Sequence, residues 1–263
     1  FFVAGGPAAG GDGTTWGTAM GDLRGAMTAA RDVSSAANPV QVWVKAGIYK
    51  PTTCASDTCD LTERGVPFSL KDNVEVYGGF LGDETTLSQR HAGLSLENGI
   101  SLFVGDRETI LSGDIGTNAD PSDNSYHAVS YGVSDTVDAG SPAVLDGFTI
   151  TKAGDTQGFI NGQGGGMTLS GTSPVIRHVK FINNVSTYGG GMFNASNSNP
   201  TLTNVSFIDN TATHTGGGMY NEGNPSLSSV IFSGNTATDG GGIYNEGNPS
   251  LSSVSFINNT ATR

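Results

Sequence analysis

Charge is scarce in this 263-residue chain: Asp, Glu, Lys and Arg make up 14% of it, against roughly a quarter in an average soluble domain. Only 12 residues are basic against 24 acidic, a formal net charge of −12, and the cations form no stripe. Such a surface repels a phosphate backbone, which argues against nucleic acid as a partner. Long apolar runs are missing as well. No stretch approaches the roughly 18 residues that a membrane-crossing helix needs. Cysteine is limited to Cys54 and Cys59. Their spacing suits a loop disulfide, and so an oxidising compartment, whereas a zinc site would need a second Cys or His pair that does not lie nearby. No signal peptide is visible: Phe1-Phe2-Val3-Ala4 is too short for an apolar signal core and reads as a first strand. Export would then require a signal removed before residue 1.

Glycine is what the chain has in excess, 40 residues, about twice its usual share. Much of it is periodic. Gly164-Gly-Gly-Met167 returns as Gly189-Gly-Gly-Met192, Gly216-Gly-Gly-Met219 and Gly240-Gly-Gly-Ile243, in steps of 25, 27 and 24 residues. Between these lie Phe181-Ile-Asn-Asn184, Phe207-Ile-Asp-Asn210, Phe232-Ser-Gly-Asn235 and Phe256-Ile-Asn-Asn259. The string Tyr-Asn-Glu-Gly-Asn-Pro-Ser-Leu-Ser-Ser-Val occurs twice, from Tyr220 and from Tyr244. A fixed period of this size marks a solenoid. Short β-type runs such as Asn204–Ile208, separated by Gly, Asn and Pro, read as strands rather than helices. Leucine-rich repeats need denser Leu, and a propeller blade needs about 40 residues or more. Three short strands and three turns per coil fit, with coils stacked in parallel at about 4.8 Å.

The predicted fold is an all-β, right-handed parallel β-helix of about 24-residue coils with a short N-terminal capping helix. It reads as one continuous domain: a strand and capping helix over 1–35, irregular coils with insertions over 36–163, and regular repeats over 164–263. Val179, Val205, Val230 and Val254 form one expected inward column, and Phe181, Phe207, Phe232 and Phe256 the next, because a spacing of two keeps both on one strand face. Asn184, Asn210, Asn235 and Asn259 are expected to form an amide ladder, and Pro174, Pro200, Pro225 and Pro249 to open strands. Val40–Val44, Val74–Tyr77 and Ile100–Val104 read as strands of earlier coils. Apolar residues at 16, 20, 23, 27 and 30 predict a helix that covers the first coil's edge.

In its two tetrapeptides the chain resembles the pectate-lyase-like superfamily of right-handed β-helices. More narrowly, it is similar to bacterial surface proteins related to the polymorphic outer membrane proteins of chlamydiae, whose coils carry a Gly-Gly-Ala-Ile-type and a Phe-x-x-Asn tetrapeptide. The opening Gly11-Asp-Gly-Thr-Thr-Trp16, Val42–Tyr49 and Val76–Glu84 share in the likeness. The resemblance implies an extracellular structural or adhesive module at a bacterial cell surface, with a host-cell or matrix glycan or protein as partner. It implies fold more strongly than activity. The alternative is a polysaccharide-active enzyme, a lyase or glycosidase, with its site in the irregular half. Its Asp-Asp and Gly-His-Gly signature is absent, and Arg177, His178 and Lys180 read as a solvated face. No catalytic residue is therefore assigned.

The acidic segment Asp114–Asp123 offers Asp114, Asn118, Asp120 and Asp123 as candidate calcium ligands, although such turns are common without metal. His91, His127 and His214 carry no ligand spacing, and no cofactor is otherwise implied. Sequons at Asn184, Asn194, Asn204 and Asn258 are explained more simply by ladders and turns. Finally, the C-terminal coil is expected to end in strands with an open edge. Either the native chain continues, or the edge pairs with Phe1, Phe2, Val3 and Ala4 of another copy, an assembly edge that builds a head-to-tail homopolymer.

Overall fold

The computed structural model describes residues 1–5, 11–52, 61–97, 99–116, 120–133, 140–154 and 162–263. Cys54, Cys59 and Asn118 lie outside them. The chain is built mostly of parallel β-strands, an arrangement consistent with an all-β parallel solenoid. Strands Val175–Ile182, Thr201–Ile208, Ser226–Ser233 and Ser250–Ile257 pair in parallel, with Phe181 opposite Phe207, Phe207 opposite Phe232, and Phe232 opposite Phe256. Two further sheets stack the same way. One holds Met167–Ser170, Met192–Asn194, Met219–Asn221 and Ile243–Asn245, and the other Val185–Tyr188, Thr211–Thr215, Thr236–Ala237 and Thr260–Ala261. Each eight-residue strand is bent in its middle. His178, Asn204, Ser229 and Ser253 occupy that bend with φ between 50° and 55°, a left-handed conformation that β-branched residues resist. The strand's second half is thereby swung around the core.

Inside the bend the Phe rings stack. Phe181, Phe207 and Phe232 are fully buried, their centroids 4.8 and 4.7 Å apart and their planes nearly parallel. Phe256 stacks on Phe232 at 5.0 Å but is 49% exposed. It departs from the expected buried column because its outer face meets no further ring among the described residues.

Asn184, Asn210 and Asn235 are fully buried. The Nδ2 of each donates to the Oδ1 of the next, at 3.0 Å from Asn184 to Asn210, 3.0 Å from Asn210 to Asn235 and 2.8 Å from Asn235 to Asn259. The same Nδ2 also donates to a carbonyl one coil back, as from Asn210 to Phe181. The Oδ1 of Asn210 accepts, in addition, the backbone N–H of Asn184. Both amide ends are therefore spent, and a carboxylate could not replace them because it lacks the two donors. Asn259, at the last rung, is half-buried.

The glycine triplet needs three glycines for three reasons, seen at residues 189–191. Gly189 has φ 66°. A Cβ on Gly190 would lie 2.4 Å from the Thr211 carbonyl oxygen, and one on Gly191 would lie 2.7 Å from the Phe207 ring. The triplet and the Phe column are thus two halves of one packing arrangement.

The N-terminal part differs from expectation in two places. Trp16 is not on the helix: Trp16–Thr18 forms a 3-10 turn, and the α-helix is Leu23–Val33. Asp22 starts that helix by accepting from the backbone N–H groups of Arg24 and Gly25. Trp16 instead packs among Phe2 and Phe80, beside Trp43. Leu23, Ala26, Met27 and Ala30 are buried in the main core, which extends from Val3 to Phe232. The strand Ile100–Phe103 is not part of a coil. It pairs antiparallel with Leu94–Glu97, and this hairpin lies across the outside of the large sheet, where Ile100 and Leu102 bury Ile231.

Phe1, Phe2, Val3 and Ala4 are not a free edge. Phe2–Val3 pairs with the strand Val40–Lys45 on one side, while Phe2 and Ala4 donate to Gly13 and Met20 on the other. Both backbone edges are thus occupied inside the chain, so the segment does not present the free strand that the head-to-tail pairing was expected to use.

Stability should follow this burial. Phe207→Ala or Phe232→Ala should cost about 3–5 kcal/mol in denaturant unfolding. Phe256→Ala should cost about 1 kcal/mol or less. Equal losses at Phe232 and Phe256 would contradict the stacking order.

Candidate functional site

Chemistry-bearing side chains gather where the irregular and regular coils meet. Asp146 ends the strand Val144–Asp146, which pairs with Val74–Phe80 on one side and Val175–Ile182 on the other. It is 3% exposed, and Arg90, from the 3-10 segment Leu87–Gly93, is 1% exposed. Arg90 Nη2 lies 2.8 Å from Asp146 Oδ1, and Nη1 donates to the Gly78 carbonyl at 2.8 Å. The guanidinium sits over the rings of Phe103 and Tyr77 at 4.8 and 5.1 Å. Gly147 makes the room, since a Cβ there would lie 2.6 Å from Arg90 Nη1.

Two residues of the next coil complete the cluster. His178 Nδ1 is 2.9 Å from Asp146 Oδ1, and its Nε2 is 3.3 Å from Asn204 Nδ2. An amide nitrogen can only donate, so Nε2 accepts and Nδ1–H donates to the carboxylate. Arg177 Nε lies 3.3 Å from Asp146 Oδ2. Burial by itself would raise the Asp146 pKa; the His178 hydrogen bond and the Arg90 charge outweigh it and hold the carboxyl below its ordinary value.

The sequence placed Arg177, His178 and Lys180 on a solvated face, and that is corrected for two of them. The hairpin covers them: the side chains of His178 and Lys180 are 17% and 12% exposed, and Lys180 pairs with Glu97 of the hairpin at 2.8 Å. Arg90 and Asp146 were not singled out in the sequence. They lie 56 residues apart, and only the stacking of coils brings them together. In chemical terms the carboxylate meets Arg90 and His178 at 2.8 and 2.9 Å, with Arg177 adding a charge contact at 3.3 Å. The cluster therefore works as a clamp that fixes Leu87–Phe103 to the sheet.

The described calcium candidates have protein partners of their own. Asp114 is 2.8 Å from Lys152 Nζ and 3.9 Å from Lys50 Nζ, so its charge is already balanced. Asp120 caps a short turn by accepting from the Ser122 backbone and hydroxyl. Asp123 is buried, and Asn118 lies outside the described residues. Among the described residues no three His, Cys, Asp or Glu side chains form a group that could hold a metal ion. The histidines are dispersed. Burial lowers the pKa of His91, assisted by Arg90, and of His127, whose Nδ1 contacts the Gly164 carbonyl. His214 packs on the Tyr188 ring at 5.6 Å.

The second sheet carries an amide ladder of its own, one that the sequence marks only faintly. Asn194 Nδ2 donates to Asn221, and Asn221 Nδ2 to Asn245, both at 2.7 Å. Its signal was the twice-repeated Tyr-Asn-Glu string. Asn184 and Asn194 are both fully buried in ladders, so these two sequons are structural.

Residues 229–246 match the repeat of the Chlamydia polymorphic membrane protein family. The matched segment carries Phe232-Ser-Gly-Asn235 and Gly240-Gly-Gly-Ile243, one rung of the Phe stack, the Asn ladder and the triplet turn. No curated protein and no solved structure matches the chain. The repeat match and the mostly parallel strands together fit a β-helix of the polymorphic membrane protein type.

Asp146→Asn should destabilise the protein by about 3–5 kcal/mol, since it leaves Arg90 buried without its counter-charge. The depressed pKa also fixes the sign of a pH effect. The Asp146 contribution is complete above the unfolded carboxyl pKa of roughly 3.9 and is lost as pH falls through the lower folded value. Protection against hydrogen exchange in Leu87–Phe103, taken relative to the intrinsic rate at each pH, should fall on acidification below about pH 4. In Asp146→Asn that protection should be low throughout.

Proposed function

We propose that the chain is an extracellular structural and adhesive module of a bacterial surface or outer-membrane-associated protein, folded as a right-handed parallel β-helix whose N-terminal helix caps the first coil. The observation that carries this reading is the repeat match at 229–246, on the coil where both tetrapeptides have a defined packing role. Right-handedness follows the strong preference of parallel strand–crossover–strand connections for that hand. The helix Leu23–Val33 supports the capping role by burying its apolar stripe against the first strands. A stack of coils held by internal ladders gives a long, stiff body that presents one outer face many times over, which suits adhesion.

The test uses the whole chain. Particles coated with it are applied to host epithelial cells and to matrix proteins, with albumin-coated particles as reference. In parallel the chain is incubated with uronate polymers and calcium and followed for unsaturated product. Retention above the reference without turnover supports the module. Turnover would establish the lyase instead, and absence of both would overturn adhesion.

A further inference from the structure

The outer face of the second sheet carries a Tyr-x-Glu pattern outside the inward columns. In Tyr220-Asn-Glu222 and Tyr244-Asn-Glu246, the asparagines are ladder rungs. The glycine after Glu222 is forced, since a Cβ on Gly223 would lie 1.9 Å from the Ser198 carbonyl oxygen. Tyr220 returns as Tyr244 at the same register in the next coil, and each is followed two residues on by a Glu. Met219 and Asn221 point inward and are fully buried, which places Tyr220 between them on the outside.

These residues form a continuous strip. Phe193, Tyr220 and Tyr244 stack at 5.0 and 5.3 Å. Tyr188, 37% exposed, stands edge-on to Tyr220 at 5.8 Å and touches His214. Glu222 accepts from the Ser196 backbone N–H, and the Glu246 charge acts on the Tyr220 hydroxyl. The cations of residues 164–263 are Arg177, Lys180 and Arg263. The first two are paired with Asp146 and Glu97, and the third lies 3.9 Å from Asp239. Neither Glu222 nor Glu246 has a cation beside it among the described residues.

We propose that this Tyr–Glu strip is a docking surface for a basic, arginine-rich segment of a partner protein. The carboxylates supply the counter-charge, and the exposed Tyr188 ring offers a face on which a guanidinium can stack. Charge complementarity selects this occupant: the strip is anionic on a chain of net charge −12, which repels acidic glycans and attracts cations before contact. The Tyr220 hydroxyl reports the same potential, its pKa pushed up first by burial and then by the charges of Glu246 and Glu222. The proposal deepens the adhesive reading by naming a partner class.

The probe is a fluorescent arginine–glycine peptide, with a neutral serine–glycine peptide of equal length as reference, measured by anisotropy on the full chain across salt concentrations. The expected result is salt-dependent binding of the basic peptide. Glu222→Gln with Glu246→Gln should weaken it about tenfold, and Tyr188→Ala should weaken it a few-fold. The pair Asp32→Asn and Asp106→Asn, which removes the same charge from exposed sites elsewhere, should leave it unchanged. Unchanged thermal midpoints would show that all variants fold. Equal loss in both double variants would mean attraction by net charge alone and would overturn the strip. So would absence of peptide binding, or tighter binding of neutral oligosaccharides that depends on Tyr188. None of these outcomes bears on particle adhesion, so failure of the strip and failure of the adhesive reading are told apart.

Discussion

Everything in this molecule answers to one constraint: each coil must lie on its neighbour at the spacing of hydrogen-bonded parallel strands, about 4.8 Å. At that distance a residue's principal neighbour is its own equivalent one coil away. Side chains therefore succeed or fail as columns. A flat ring can stack on a copy of itself, and a primary amide can both donate to and accept from its copy. A carboxylate or an ammonium would face a like charge. The scarcity of charge in the regular coils and the recurrence of Phe and Asn have this common origin.

The same constraint explains why the glycines and the aromatic column are inseparable. Stacking Phe207 on Phe181 and Phe232 presses the ring edge against the backbone of the triplet, where even a methyl group would collide. Shortening the ring would open a void, and lengthening the glycine would force the turn outward. Neither can drift alone. The repeat is thus a single packing solution written in two tetrapeptides, with Gly191 meeting Phe207, Gly218 meeting Phe232 and Gly242 meeting Phe256, and the matched family segment carries one tetrapeptide of each kind.

What could be read in the sequence divides along the same line. Columns are legible because the period repeats the evidence: four Phe, four Asn and four triplets each vote for the same register. The Asn194–Asn221–Asn245 ladder was harder because the Tyr-Asn-Glu string begins only at Tyr220, leaving two rungs to show it. Long-range singular contacts carry no period at all. Arg90 meets Asp146 across 56 residues, and the hairpin meets Ile231 across more than a hundred. Nothing local distinguishes Ile100–Phe103, an external arm, from Val74–Phe80, an internal strand, because both alternate apolar and polar positions. Phe1–Ala4 looks like a free first strand in sequence for a related reason, since only the fold shows Gly13 and Met20 closing its second edge.

The buried charge cluster then has a place in the scheme. Regular coils can be held by ladders because each has a like neighbour, but the insertion Leu87–Phe103 has none. A segment without an equivalent above or below needs complementary partners rather than identical ones, and opposite charges supply that complementarity. Arg90 enters at Gly147, the bend position that later coils fill with His178, Asn204, Ser229 and Ser253. His178 contacts both kinds of partner, bonding Asp146 on one side and Asn204 on the other. It is the rung at which column logic gives way to pairwise recognition. The Tyr–Glu strip lies on the regular side of that boundary, where a carboxylate repeated in adjacent coils is tolerated only at the surface. There the repulsion within the chain becomes attraction for something outside it.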